Sequence, residues 1–137
     1  MQTPKFNPSN AKPRVGPLLL PAGGRKGPTP KWPLPGEPTK AEAAHWRKLW
    51  TKPQAVVWEQ QELFDIVARY CRIVVMASAP DAFAAVMAQA SSLEDRLGLT
   101  PRAMRMLLWQ IAPDEVAEKR DEAAEPVRAR LRAVDTG

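Results

Sequence analysis

Residues 53–77 read PQAVVWEQQELFDIVARYCRIVVMA, and what covers this stretch decides the fold. Set at helical intervals of about 100°, Val56, Val57, Leu63, Phe64, Ile66, Val67, Tyr70, Cys71, Ile73, Val74 and Val75 fall in an arc of about 200°. Gln54, Gln61, Glu62, Asp65, Arg69 and Arg72 fill most of the remaining circle. The spacing predicts one long amphipathic helix over 53–77. A helix with a single packing neighbour needs only about half that apolar width. Something else has to cover the surplus.

Upstream, PTKAEAAHWRKLW predicts a first helix. Thr39 and Glu42 have capping-box spacing, in which each side chain satisfies a free backbone N–H of the first turn. Trp46 and Trp50 follow at i, i+4 and share one face. Lys52 before Pro53 disfavours helical geometry, so the first helix stops there and the next begins. Downstream, Ser78 and Asp81 again have box spacing. A third helix is predicted over 81–97, with Phe83, Val86, Met87, Ala90, Leu93 and Leu97 in one stripe. Gly98 stands where a left-handed C-terminal cap belongs, and Leu99 can fold back over the last turn. Thr100 and Pro101 then open a fourth helix that buries Met104, Leu107, Leu108 and Ile111 and ends at Pro113.

Composition divides the 137 residues into three parts. Ten of the 15 prolines lie in residues 1–38, and residues 1–40 hold seven Lys/Arg against one acid. Residues 41–137 hold thirteen Lys/Arg against fourteen acids, so the net charge of +5 belongs to the N-terminal part. Residues 1–38 lack any hydrophobic period and are expected to form a disordered basic arm. Residues 39–112 are expected to form the helical domain, and 113–137 a charged tail, with six acids and two bases in 114–125. A basic arm on a near-neutral domain favours a polyanionic partner. Lys5, Lys12, Arg14, Arg25, Lys26 and Lys31 are its candidate phosphate contacts.

The residue types from which catalytic sites are built show no catalytic spacing in this chain. His45 is the single histidine and has no cysteine or carboxylate pair at ligand spacing, so no metal is expected. The glycines in GPLLLPAGGRKGPTP do not match a phosphate-binding loop, and no nucleophile–base pair is visible. No cofactor, small-molecule substrate or catalysis is therefore expected. Cys71, the lone cysteine, fits a reducing compartment and falls on the apolar arc as an inert core thiol. No apolar run approaches the length of a membrane span or a signal sequence, so an intracellular, soluble protein is expected.

The surplus apolar arc has two resolutions. Helices one and four could fold over both sides and leave a monomer. Alternatively a hairpin of about 53–77 against 81–97 could pack its outer side on a copy of itself, through Trp58, Phe64, Val67, Tyr70 and Val74. Repeated head to tail, that contact closes into a ring. The expected architecture is thus all-α: a helical hairpin core with flanking short helices, assembled as a ring-shaped homo-oligomer.

WPLPGEPTKAEAAHWRKLWTKPQAVVWE, then VARYCRIVV, then LEDRLGLTPRAMRMLLWQI resembles the small terminase subunits of tailed bacteriophages, particularly those infecting actinobacteria. The likeness covers about residues 32–111. It rests on Trp46, Trp50, Pro53-Gln54-Ala55, Trp58, Tyr70 and the Leu97-to-Pro101 link, in that order and spacing. It implies a non-enzymatic packaging factor of the host cytoplasm. Such subunits form rings, bind viral double-stranded DNA and deliver it to the large terminase subunit, which supplies ATPase and nuclease. Many of these subunits carry an N-terminal helix-turn-helix, where this chain has its arm.

Arg102, Arg105 and Trp109 fall on one side of the predicted fourth helix, nearly opposite its buried stripe. Two guanidiniums beside an indole suit a DNA contact in a helix-turn-helix, a protein contact, or a solvated face. A dimeric helix-turn-helix regulator over 81–111 and a structural phage adaptor without a DNA role are the alternatives to a terminase.

Overall fold

The computed structural model describes residues 16–114 together with 122, 126, 128, 130 and 131. It is mostly helical. The elements run β1 (Leu18–Leu20), α1 (Lys40–Leu49), α2 (Ala55–Gln60), α3 (Phe64–Ala77), α4 (Ala84–Arg96), α5 (Pro101–Leu107) and β2 (Trp109–Ile111).

The capping box at the start of α1 is formed. The Glu42 N–H donates to Thr39 Oγ1 at 3.2 Å, and the Thr39 N–H donates to Glu42 Oε1 at 3.0 Å. Arg72 of α3 donates to the other Glu42 oxygen at 3.2 Å. The Thr39 backbone bond, helped by the Thr39 hydroxyl and Arg72, holds the Glu42 carboxyl below the ordinary carboxylate value against the opposing effect of burial. From α1, Trp46 and Trp50 turn inward and begin a row of edge-on indoles. Ring centroids are 5.2 Å apart for Trp32–Trp46, 5.4 Å for Trp46–Trp50 and 5.8 Å for Trp50–Trp58. Phe64 stacks on Trp50 at 5.3 Å. Edge-to-face pairing satisfies the ring quadrupoles, so this row forms the spine of the core.

The expected single helix over 53–77 is two helices. Glu62 adopts φ 56°, and the Leu63 N–H reaches back to the Trp58 carbonyl at 2.9 Å, which closes α2 and restarts the chain as α3. The bend aims Trp58 into the subunit, where its Nε1–H donates to the Leu97 carbonyl at 3.0 Å. The helical hairpin is therefore α3 against α4, and α1 packs on α3 as well. These two neighbours account for most of the wide apolar arc.

Ser78 and Asp81 do not start α4. Ser78 Oγ donates to the Val74 carbonyl at 2.6 Å and finishes α3, while Phe83 stands at the α4 N-cap without a side-chain bond. Of the expected α4 stripe, only Ala90 and Leu97 are buried; Phe83 is 80% exposed and Met87 is exposed too. At the other end the link is as expected. Gly98 takes φ +71°, the Leu99 N–H donates to the Glu94 carbonyl at 2.9 Å, and Thr100 Oγ1 accepts the Ala103 N–H at 3.0 Å.

The fourth helix stops early. Leu108 is left-handed at φ 59°, and residues 109–111 form β2 in parallel with β1, pairing Leu18 with Trp109 and Leu20 with Ile111. Leu107, Leu108 and Ile111 are exposed and Ala103 is buried, contrary to the expected stripe.

Residues 16–38, expected to be disordered, lie on the helices instead. Leu20 is buried, Trp32 and Leu34 pack on the core, and the Trp46 Nε1–H donates to the Pro30 carbonyl at 2.8 Å. Prolines lower the entropy that ordering such a segment costs, so a few well-placed apolar side chains suffice without any periodic stripe. No helix among the described residues is long and apolar enough to cross a membrane.

Candidate nucleic-acid interface

The bend at Glu62 and the closure of α3 by two helices decide the fate of the expected intersubunit seam. Trp58 and Val67 are 0% exposed, and Tyr70 is buried as well. Phe64 is stacked on Trp50, and Val74 packs against the same core. A side chain enclosed by its own subunit cannot meet a copy, so Trp58, Val67 and Tyr70 are core rather than seam, whereas Phe64 and Val74 are only partly buried. The Tyr70 hydroxyl donates to Glu94 Oε2 at 2.9 Å, and burial raises its pKa above the ordinary phenol value. Burial also pushes the Cys71 thiol up to about 12. Alkylation of Cys71 in native protein is thus expected to proceed only at the rate of unfolding, measurable by mass spectrometry across a denaturant series. Labelling as fast as a free thiol would contradict this packing.

The arm cations divide. Lys5, Lys12 and Arg14 lie outside the described residues. Arg25 is committed to the fold: its Nε donates to Glu59 Oε2 at 2.7 Å, Nη2 also contacts that carboxylate, and Nη1 donates to the Pro28 carbonyl at 3.0 Å. Its guanidinium stands over the Trp50 ring at 5.5 Å, a position that serves packing and leaves little for a phosphate. Lys26 donates to the Gly23 carbonyl at 3.1 Å and is exposed, as is Lys31.

On α5, Arg102 and Arg105 sit three residues apart and are both exposed. Trp109 does not join them. It belongs to β2, and its ring lies against Gly98. The structure brings Arg96, from the last turn of α4, to Arg102 instead. These two line an open pocket of about 410 Å³ with Asp95, Ala103, Met106 and Leu107. Asp95 is partly engaged, accepting a bond from Thr100 Oγ1 at 3.2 Å. Arg96 was not singled out from sequence because its proximity to Arg102 depends on the chain reversal at Gly98. The surface is two helices joined by a tight link, with three guanidiniums on the outside. Beyond Arg105, α5 becomes apolar: Met106 is 74% and Leu108 66% exposed.

No group of three His, Cys, Asp or Glu side chains among the described residues could hold a metal ion. No family model matches the chain, and neither curated proteins nor solved structures yield a match.

Proposed function

We propose that this chain is a DNA-packaging factor of the small-terminase kind, acting in the host cytoplasm. It binds viral double-stranded DNA and hands it to a large terminase subunit, with no catalysis of its own. The observation that carries the reading is the α4–link–α5 unit, in which Gly98 and Thr100 set a helix reversal that exposes Arg96, Arg102 and Arg105. Self-assembly into a ring belongs to the same reading. Its contact surfaces are then the apolar side chains left uncovered, Met76, Phe83 and Met87 at one end of the α3–α4 hairpin and Met106, Leu107 and Leu108 on α5.

Duplex binding across a salt series tests the DNA contact. Removing two phosphate-contacting cations with Arg102→Ala/Arg105→Ala is expected to weaken binding and lower the slope of log K against log salt by about 2. An unchanged slope moves DNA off α5. A second reading has direct support in the exposed Met106 and Leu108, which a major-groove helix has little use for: α5 docks a protein. Under it, the double variant leaves DNA affinity intact. Light scattering separates the assembly classes, since a ring far exceeds the 15.2 kDa subunit and a helix-turn-helix regulator forms a dimer.

A further inference from the structure

The geometry points to a second anion site: we propose that the open pocket between the end of α1 and the α3–α4 hairpin binds a phosphate oxyanion. The inference deepens the DNA-binding reading by adding a phosphate contact away from α5, and its test separates the two. His45, Lys48 and Lys52 recur at i, i+3, i+7. Although α1 ends at Leu49, the Thr51 N–H donates to the Lys48 carbonyl at 3.3 Å and the Lys52 N–H to the Leu49 carbonyl at 3.1 Å. The turn therefore continues, and the three side chains stay on one side of α1 while Trp46 and Trp50 occupy the core side.

These three converge with Tyr70 and Glu94 on a pocket of about 230 Å³. A water takes roughly 30 Å³, so the space admits a phosphate with part of its hydration. Val74 and Leu99 supply apolar wall, which strengthens any charge contact there. Two ammonium groups face one carboxylate, and that carboxylate already accepts the Tyr70 hydroxyl. Neither lysine forms an ion pair among the described residues, whereas Arg25 and Arg72 are both paired, with Glu59 and Glu42. The basic rim continues into the docked arm, because the Arg25 N–H donates to the Lys52 carbonyl at 3.3 Å and sets exposed Lys26 next in line. Basic residues at a helix C-terminus also offset its partial negative charge, a role that Arg47 and Lys48 fill. That role does not require a histidine and a second lysine around one cavity.

His45 is the only histidine, so its ring proton resonances report on this pocket alone. The full chain is titrated with inorganic phosphate, with chloride at matched ionic strength and pH, and with a duplex DNA. The expected result is a saturable His45 shift with phosphate and none with chloride. In Lys48→Gln/Lys52→Gln the apparent affinity falls at least ten-fold while the circular dichroism spectrum is unchanged. A DNA-induced shift that competes with phosphate makes the nucleic-acid backbone the source of the anion; a shift with phosphate alone makes it a free phosphate. Equal shifts in chloride, no shift with either anion source, or a shift retained in the double lysine variant overturns the site. DNA binding that moves only when Arg102 and Arg105 are changed, with His45 still, removes the pocket and leaves the α5 reading standing.

Discussion

Val67→Glu is expected to abolish the folded state, leaving no cooperative thermal transition by circular dichroism at neutral pH. Val67 is 0% exposed and belongs to the cluster built around Trp50, Trp58 and Cys71. An ionised carboxylate buried there without a partner costs several kcal/mol. A domain of this size holds about 5–15 kcal/mol in total. Partial refolding on acidification is expected, because the protonated side chain no longer carries the charge. Trp58→Ala gives a graded companion: about 3–5 kcal/mol from the cavity, with the Leu97 carbonyl losing its donor in addition. A folded Val67→Glu protein of reduced mass would instead restore the seam between copies that the sequence suggested. The two outcomes are opposite, so one melt and one light-scattering trace decide between them.

Gly98→Ala is expected to lose about 2–5 kcal/mol and to loosen both the α5 link and the β1–β2 pair. The left-handed backbone at φ +71° costs a side chain about 1–2 kcal/mol. A methyl group at Gly98 would also fall on the Trp109 ring, and forced overpacking adds about 1–3 kcal/mol. Since Trp109 opens β2, its displacement frees the strand that holds Leu18 to Leu20. Gly36→Ala is the matched control, with φ +78° and open space at the added methyl, and should lose only about 1–2 kcal/mol. Urea unfolding of both variants reads the difference. Equal losses would mean that Trp109 is not seated on Gly98.

Features fixed within a few residues were legible in the sequence. The Thr39–Glu42 box and the Leu97-to-Pro101 link depend on local backbone chemistry, and the structure has both. The break at Glu62 was hidden because the apolar period runs through it and no glycine or proline marks it. Leu63 to Trp58 is a local bond, yet what favours it is the distant reward of seating Trp58 on Leu97 and Trp50. The docking of residues 16–38 was hidden for the same reason. Trp32, Leu34 and Leu20 follow no period, and their partners are remote: Trp32 meets Trp46, and Leu20 pairs in register with Ile111. Of the candidate interface, Arg102 and Arg105 were visible as exposed bases. Arg96 and the displacement of Trp109 needed the chain reversal and the β2 pairing first.

The pairing of Leu18–Leu20 with Trp109–Ile111 has a mechanical side. The strands are parallel, with the Leu18 N–H on the Leu108 carbonyl and the Ala112 N–H on the Leu20 carbonyl, both at 2.7 Å. Tension applied through the chain before residue 18 and after residue 111 pulls along the strand axes in opposite directions. Every bond of the clip is then sheared at once rather than peeled singly, so the subunit resists extension best when it is tugged from its two ends.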